Sequence, residues 1–119
     1  MRVIFDTNII IDHSIGIKAG TEELARHADA AISIVTRIEF LAGVPAGSEA
    51  LALRLLDRFS LVHLDERVAD EAARIRRQLR LKFADAIVLA SARTTGRVLL
   101  TRDAKDFAGD PLVQAPYRL

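Results

Sequence analysis

Four acidic residues lie where predicted strands end or predicted helices begin. They are Asp6, Glu39, Asp85 and Asp103. The clearest is Asp6, because it directly follows the β-type run 2–5 and precedes two short polar residues. In a parallel sheet, side chains at the carboxyl ends of neighbouring strands converge on one edge. Because carboxylate oxygens are the ligands that a hard divalent cation such as Mg²⁺ prefers, the pattern predicts a catalytic metal site.

Each of these acids also has a structural interpretation. Glu39 comes three residues after Thr36, and this spacing fits a capping box at a helix start. Asp85 fits the first turn of a helix, where negative charge is favourable. Asp103 fits a turn, and even Asp6 could form an Asx-turn. The combination of four acids from four separate segments favours the catalytic interpretation.

The hydrophobic pattern predicts strands that alternate with helices. Strands are predicted at 2–5, 31–35, 61–64 and 98–101, with a weak fifth strand at 113–115. Helices are predicted at 8–15, 21–29, 36–43, 48–59, 65–79 and 84–95. This alternation indicates an α/β fold in which helices cover both faces of a parallel sheet. Ligands of such sheets bind at the carboxyl ends of the strands, where the strand order reverses.

Individual residues predict where several helices begin and end. Thr21 is expected to be the N-cap of the helix at 21–29, and Asp65 the N-cap of the helix that runs to about Leu79. Gly96 is expected to end the helix that begins near residue 84. Asp12 is expected to be a surface residue.

The composition restricts the classes of function. The 119 residues indicate a single domain, 1–119. The absence of cysteine excludes disulfides, thiolate zinc sites and thiol nucleophiles. No membrane-spanning segment or export signal is predicted, so the cytoplasm is the expected compartment. The net charge of +1 does not indicate a general nucleic-acid binder. Any contact with a polyanion is therefore expected to be local, and Arg102 and Lys105 belong to the basic cluster that lies nearer the acidic site.

Four segments of the chain closely resemble the motifs of PIN-domain proteins, in particular the VapC-type ribonuclease toxins of bacterial and archaeal toxin–antitoxin pairs. In chain order they are VIFDTN (3–8), VTRIEFLAG (35–43), ADAIVLASA (84–92) and LLTRDAKDF (99–107). The resemblance covers the whole chain. It implies a three-layer α/β/α domain with a central parallel sheet of four or five strands.

The resemblance also implies an activity and partners. The expected activity is that of an endoribonuclease that depends on Mg²⁺ or Mn²⁺ and cleaves RNA phosphodiester bonds. The protein would be the toxin of a type II toxin–antitoxin pair. It would form a homodimer and be inhibited by a cognate antitoxin whose tail lies across the active-site groove, in a complex that can be larger than the dimer.

The motifs assign roles residue by residue. The family's four acidic positions are filled by Asp6, Glu39, Asp85 and Asp103. Of these, Asp6 and Asp85 are expected to hold the metal directly, while the other two bind it through water, complete a second site or orient the attacking water. Accessory polar positions around the site are matched by Thr7, Asn8 and Thr101, which are expected to hold the carboxylates in place. Asp106 matches a further acid that commonly follows the fourth position, and Arg102 and Lys105 are expected to steer the RNA backbone to the acidic site.

Two other functions are open at this point. A Mg²⁺-binding α/β signalling module is expected to have a phosphoacceptor Asp with a neighbouring acidic pair and a downstream Lys, whereas the first strand of this chain offers only one acid, Asp6, before Thr7. A catalytically inactive PIN-like scaffold could dispense with ligands, whereas all four acidic positions are filled here.

A surface for the antitoxin is also predicted. It is expected on the helices at 21–29 and 37–42, which carry more apolar residues than a thin sheet edge buries. These residues are Leu24, Ala28, Ile38, Phe40 and Leu41.

Overall fold

A computed structural model describes all residues from 1 to 119. Five parallel strands form one sheet in the order β3-β2-β1-β4-β5. The strands are β1 (Val3–Phe5), β2 (Ala30–Ser33), β3 (Ser60–Val62), β4 (Val98–Leu100) and β5 (Val113–Gln114). The predicted parallel α/β architecture is thus confirmed.

Helices connect the strands and cover both faces of the sheet. They are α1 (Thr7–Ser14), α2 (Lys18–Arg26), α3 (Ile34–Gly43), α4 (Glu49–Leu56), α5 (Glu66–Leu79) and α6 (Phe83–Thr95), with a short 3₁₀ helix at Ala104–Phe107. None of the helices has the length and apolar character needed to span a bilayer.

Alternation along the strands divides the core into two layers. Ile4 of β1 and Leu99 of β4 pack with buried residues of α5 and α6. Val3 and Phe5 point to the opposite face, where they pack with residues of α1 to α4. The sheet is therefore the middle of three layers, as the motifs implied.

The strand order reverses at β1, the central strand. Its neighbours are β2 on one side and β4 on the other, and Phe5 is in register with both Ile32 and Leu100. The three strands consequently end within one residue of the same level. The residues that follow them, including Asp6 and Thr101, are delivered to one edge of the sheet.

The capping-box interpretation of Thr36 and Glu39, which the sequence had left open, is wrong. Strand β2 ends at Ser33, which is the actual N-cap of α3 and accepts a hydrogen bond from the Val35 backbone N–H at 3.0 Å. The β-branched pair Ile34 and Val35 resembles strand, but it forms the first turn of α3 because tertiary packing overrides a weak local preference. Glu39 is therefore free of any capping role.

The predicted N-cap at Thr21 is also wrong, because α2 begins at Lys18 and has Ile17 at its N-cap position. The Thr21 side chain instead lies 2.8 Å from Nδ1 of His13. The other two predicted helix ends are confirmed. Asp65 caps α5 by accepting a hydrogen bond from the Val68 backbone N–H at 2.9 Å, and Gly96 ends α6 with a left-handed φ of 65°.

Candidate active site

Asp6 joins the end of the sheet to the start of α1. Its backbone N–H donates to the Leu100 carbonyl at 2.9 Å, which continues the pairing of β1 with β4. Its side chain then turns back as the N-cap of α1, with Oδ1 accepting from the Thr7 N–H at 2.8 Å. The second oxygen, Oδ2, accepts from the Thr101 hydroxyl at 2.8 Å. Both carboxylate oxygens are thereby fixed in direction.

Thr7 links Asp6 to Glu39. The Thr7 hydroxyl donates to Oε1 of Glu39 at 2.5 Å. A second hydroxyl, that of the fully buried Thr36, lies 3.1 Å from it. Because the single hydrogen of Thr7 goes to Glu39, Thr36 is the donor in this contact. The role of Thr36 was missed from the sequence, since the residue was interpreted only as a helix cap.

Asn8 holds the turn that follows β4. Its Nδ2 donates to Oγ1 of Thr101 at 3.0 Å and to Oδ2 of Asp103 at 3.2 Å. Its Oδ1 accepts from the Arg102 backbone N–H at 3.2 Å. The Thr101 hydroxyl also accepts from the Asp103 N–H at 3.1 Å. One continuous set of hydrogen bonds therefore connects Asp103, Asn8, Thr101, Asp6, Thr7 and Glu39.

The remaining two acids belong to the same site through their electric fields. Burial raises the pKa of Asp85, and the nearby charge of Asp106 raises it further, while Lys82 opposes the shift. Glu39 and Asp103 also raise the pKa of Asp85. We call the five residues the acidic cluster: Asp6, Glu39, Asp85, Asp103 and Asp106.

The ionised form of the Asp6 carboxyl group is destabilised by its surroundings. Burial raises its pKa from 3.8 to about 6, against the opposing effect of the hydrogen bonds from Thr101 and Thr7. The charges of Asp85 and Glu39 raise it further. Two carboxyl groups with raised pKa values at one edge of the sheet indicate a functional site.

The two predicted RNA-contacting cations differ in their surroundings. Lys105 is exposed and has no carboxylate within ion-pair distance. Arg102 is bound to a carboxylate outside the acidic cluster, with its Nε 2.6 Å from Oδ2 of Asp12. That Arg102 steers RNA stays a prediction.

The acidic cluster fits a divalent cation by the chemistry of its donors. Its members offer only hard oxygen atoms, and like charges already raise the pKa values of Asp6 and Asp85. No three acidic or histidine side chains converge closely enough in this conformation to enclose one ion. The fit therefore rests on donor type and on the shared electric field.

The comparison with known families agrees with this arrangement. The family model of the PIN domain matches residues 3–108, which include every member of the acidic cluster. The chain belongs to the PIN domain family.

Solved structures extend the comparison. A chain of a toxin–antitoxin complex from Klebsiella pneumoniae is 34% identical with a TM-score of 0.90, covering 98% of this PIN domain and 99% of that chain. A chain of FitAcB from Neisseria gonorrhoeae is 25% identical with a TM-score of 0.79 over 100% of both chains. A chain of VapBC2 from Rickettsia felis, bound to a DNA fragment from their promoter, shares the fold at 20% identity, with a TM-score of 0.72 over 96% and 98% of the two chains. The predicted resemblance to VapC-type toxins is confirmed, although a search of curated proteins gave no match.

A groove of this PIN domain lies beside the acidic cluster, and of the five residues of the predicted antitoxin surface only Phe40 lines it. Leu24 and Phe40 of the predicted surface are buried in the core, while Ile38 is exposed. The groove has a volume of about 620 Å³ and lies between α1, α3 and α4. Its lining includes Ile11, Ile15, Glu39, Val44, Leu51 and Leu55. Which apolar residues are exposed to a partner depends on how the helices pack in the fold, and the sequence alone did not predict that packing.

The raised pKa of Asp6 predicts a pH dependence of stability without metal. Between about pH 4 and pH 6 the folded chain keeps the Asp6 proton that the unfolded chain has released, so the free energy of unfolding falls as pH rises. In a chelating buffer, the unfolding free energy of the parent minus that of Asp6→Asn should fall by at most about 3 kcal/mol from about pH 4 to about pH 7. Urea unfolding at several pH values measures this difference. A constant difference would mean that Asp6 titrates like an exposed carboxyl group.

Proposed function

We propose that this PIN domain is an endoribonuclease that depends on Mg²⁺ or Mn²⁺ and acts as the toxin of a type II toxin–antitoxin pair. The observation that carries the proposal is the hydrogen-bonded set of side chains that aims Asp6, Glu39 and Asp103 at one edge of the sheet. A structural cap needs one acid, whereas five acids share the electric field here. Maintaining such repulsion is unfavourable unless a cation is bound there.

In this proposal, Asp6 and Asp85 hold the cation directly, and Glu39 and Asp103 complete its surroundings. A bound divalent ion makes a water molecule more acidic and neutralises the charge that develops on phosphoryl oxygens. The chain's own hydroxyl and amide groups set the directions of the carboxylates. Thr7 and Thr101 donate to Glu39 and Asp6 respectively, and groups that orient ligands in this way commonly change metal affinity when they are removed.

The substrate must overcome the negative charge of the site. Lys105 follows Asp103 by two residues on the 3₁₀ helix and is exposed. We place it against a phosphate group of the RNA, where its charge offsets repulsion between the backbone and the acidic cluster.

The groove between α1, α3 and α4 is the proposed contact of the antitoxin. The Klebsiella pneumoniae chain, at 34% identity, comes from a toxin–antitoxin complex. The groove is mainly apolar and has Glu39 in its lining. An amphipathic antitoxin segment with a basic side chain near its end therefore matches its chemistry. Homodimer formation, a larger complex with antitoxin and a cytoplasmic location stay predictions.

Cleavage of RNA by the purified protein tests the proposed function. A fluorescently end-labelled single-stranded RNA should be cut internally with Mg²⁺ or Mn²⁺, and cutting should stop in excess chelator because the carboxylates alone cannot neutralise the phosphoryl charge. Adding back either ion should restore cutting, whereas Ca²⁺ at the same ionic strength serves as the control for charge screening. Cleavage that persists in excess chelator contradicts the metal-dependent mechanism. No cleavage of any RNA with either ion favours the scaffold alternative.

A further inference from the structure

Asp12 is a buried acid outside the acidic cluster. It was expected at the surface, but only 2% of it is exposed. Its carboxylate accepts hydrogen bonds from Nε of Arg102 at 2.6 Å, from Nη2 of Arg102 at 3.3 Å and from the Tyr117 hydroxyl at 2.7 Å. The surface expectation was wrong because a turn after β4 and the C-terminal segment, both distant in sequence, cover this part of α1.

The backbone makes room for this contact at Gly20. A Cβ atom at position 20 would lie 2.9 Å from the Asp12 Cβ and 3.1 Å from the Tyr117 hydroxyl. Real Cβ atoms essentially never come within 2.9 Å of another heavy atom, and a 3.1 Å contact would require the Tyr117 hydroxyl to shift, so glycine lets α2 pack against α1 here without displacing Asp12. Asp12 thus lies in an enclosed site to which α1, α2, the turn after β4 and the C-terminal segment all contribute.

Arg102 stands between two residues of the acidic site. Thr101 precedes it and Asp103 follows it, and the charge of Asp103 contributes to the raised pKa of Arg102 after the larger effect of its hydrogen bond to Asp12. The guanidinium is therefore within electrostatic reach of the acidic cluster, yet its hydrogen bonds go to Asp12.

Helix α1 forms hydrogen bonds with the turn after β4 through two residues. Asn8 and Asp12 are four residues apart and so lie on one face of the helix. Asn8 binds the backbone N–H of Arg102, and Asp12 binds its guanidinium. The same residue is thus fixed through its main chain on one side and through its side chain on the other.

We propose that Asp12 is a positioning residue for the metal site, which holds the Arg102 guanidinium away from the acidic cluster and so keeps the carboxylates available to a divalent cation. This inference rests on the proposed metal site. A guanidinium forms strong, often bidentate, bonds with carboxylates. Apart from Asp12, the carboxylate whose charge acts on Arg102 is Asp103 of the cluster. Without Asp12, the arginine would compete with the metal for the same oxygen atoms.

Calorimetric titration of Mn²⁺ into the protein, without RNA, tests this role. Asp12→Asn should weaken Mn²⁺ binding by about tenfold or more, the range typical of groups that orient metal ligands. The double variant Asp12→Asn with Arg102→Gln should bind Mn²⁺ within about threefold of the parent, because it no longer contains the competing charge. Arg102→Gln alone should bind at least as tightly as the parent.

Asp110→Asn is the matched control. Asp110 is another buried carboxylate in an arginine pair, with its Oδ2 2.5 Å from Nη2 of Arg93, and the carboxylates that Arg93 contacts, Asp110 and Glu71, are not members of the acidic cluster. This variant should lose stability without losing Mn²⁺ affinity. Thermal melts establish that each variant is folded at the titration temperature.

The outcomes separate the inference from the function on which it rests. If the parent binds Mn²⁺ and the double variant is as weak as Asp12→Asn, the arginine is not a competitor and the inference is overturned. Equal affinity of Asp12→Asn and the parent overturns it as well. A parent that binds no Mn²⁺ overturns both the inference and the proposed metal site. If Asp12→Asn fails to fold, the double variant and Arg102→Gln still test the inference. A Mn²⁺ affinity clearly below that of the parent in either of them would show that Arg102 does not compete with the metal.

Discussion

RNA cleavage by Asp6→Asn and by Asp85→Asn should fall by more than about a hundredfold relative to the parent protein. Asparagine keeps the shape of the side chain but lacks the charge that attracts a divalent cation, and even the loss of a group that only orients a metal ligand typically costs 10- to 100-fold. Initial rates on one end-labelled RNA at saturating Mn²⁺ measure the effect.

The control for this comparison is Asp70→Asn. Asp70 is exposed on α5 and is not a member of the acidic cluster, so its substitution changes the net charge by the same amount. It should leave cleavage close to the parent rate. Circular dichroism should show all three variants folded. Parent-like rates for both folded variants of the cluster would remove Asp6 and Asp85 from the catalytic machinery.

The melting order of the parent and Asp85→Asn should reverse when Mg²⁺ is added. In a chelating buffer the variant should melt at the same or a higher temperature, because it relieves repulsion from Asp106, Glu39 and Asp103. Mg²⁺ at a hundredfold excess over its dissociation constant should stabilise the parent by about 2.7 kcal/mol, which is several degrees for a domain of this size, and the variant far less. Differential scanning fluorimetry in the two buffers measures both shifts.

Asp65→Asn provides the comparison with an ordinary helix-start acid. Asp65 caps α5 but lies outside the acidic cluster. Its substitution should change stability by a few tenths of a kcal/mol in either buffer and preserve the response to Mg²⁺. If Asp85→Asn instead melts several degrees lower in chelator, and neither it nor the parent responds to Mg²⁺, then Asp85 is a structural residue of α6.

The sequence alone was sufficient to predict where the acids that follow the parallel strands lie. Asp6 and Asp103 were predicted at one edge because the apolar runs before them are typical of buried strands, and parallel strands end on the same side. The helix ends at Asp65 and Gly96 were predictable for a similar reason, since capping depends on a few neighbouring residues. Where the role of a side chain depends only on the helix or strand to which it belongs, the neighbouring residues in the sequence were sufficient to predict it.

Tertiary structure alone decided the roles that depend on segments distant in the chain. For Glu39 the sequence left two interpretations, a member of the acidic site and the partner of Thr36 in a capping box. The strand ends earlier than predicted, and Thr7, 32 residues away, donates to Glu39 instead. Asp12 looked like a surface acid until Arg102 and Tyr117, 90 and 105 residues away, covered it. Hydrophobic periodicity reports which face of a helix is buried, but not which distant polar group meets it there. That pairing depends on strand order and helix packing, which here bring α1 against the turn after β4.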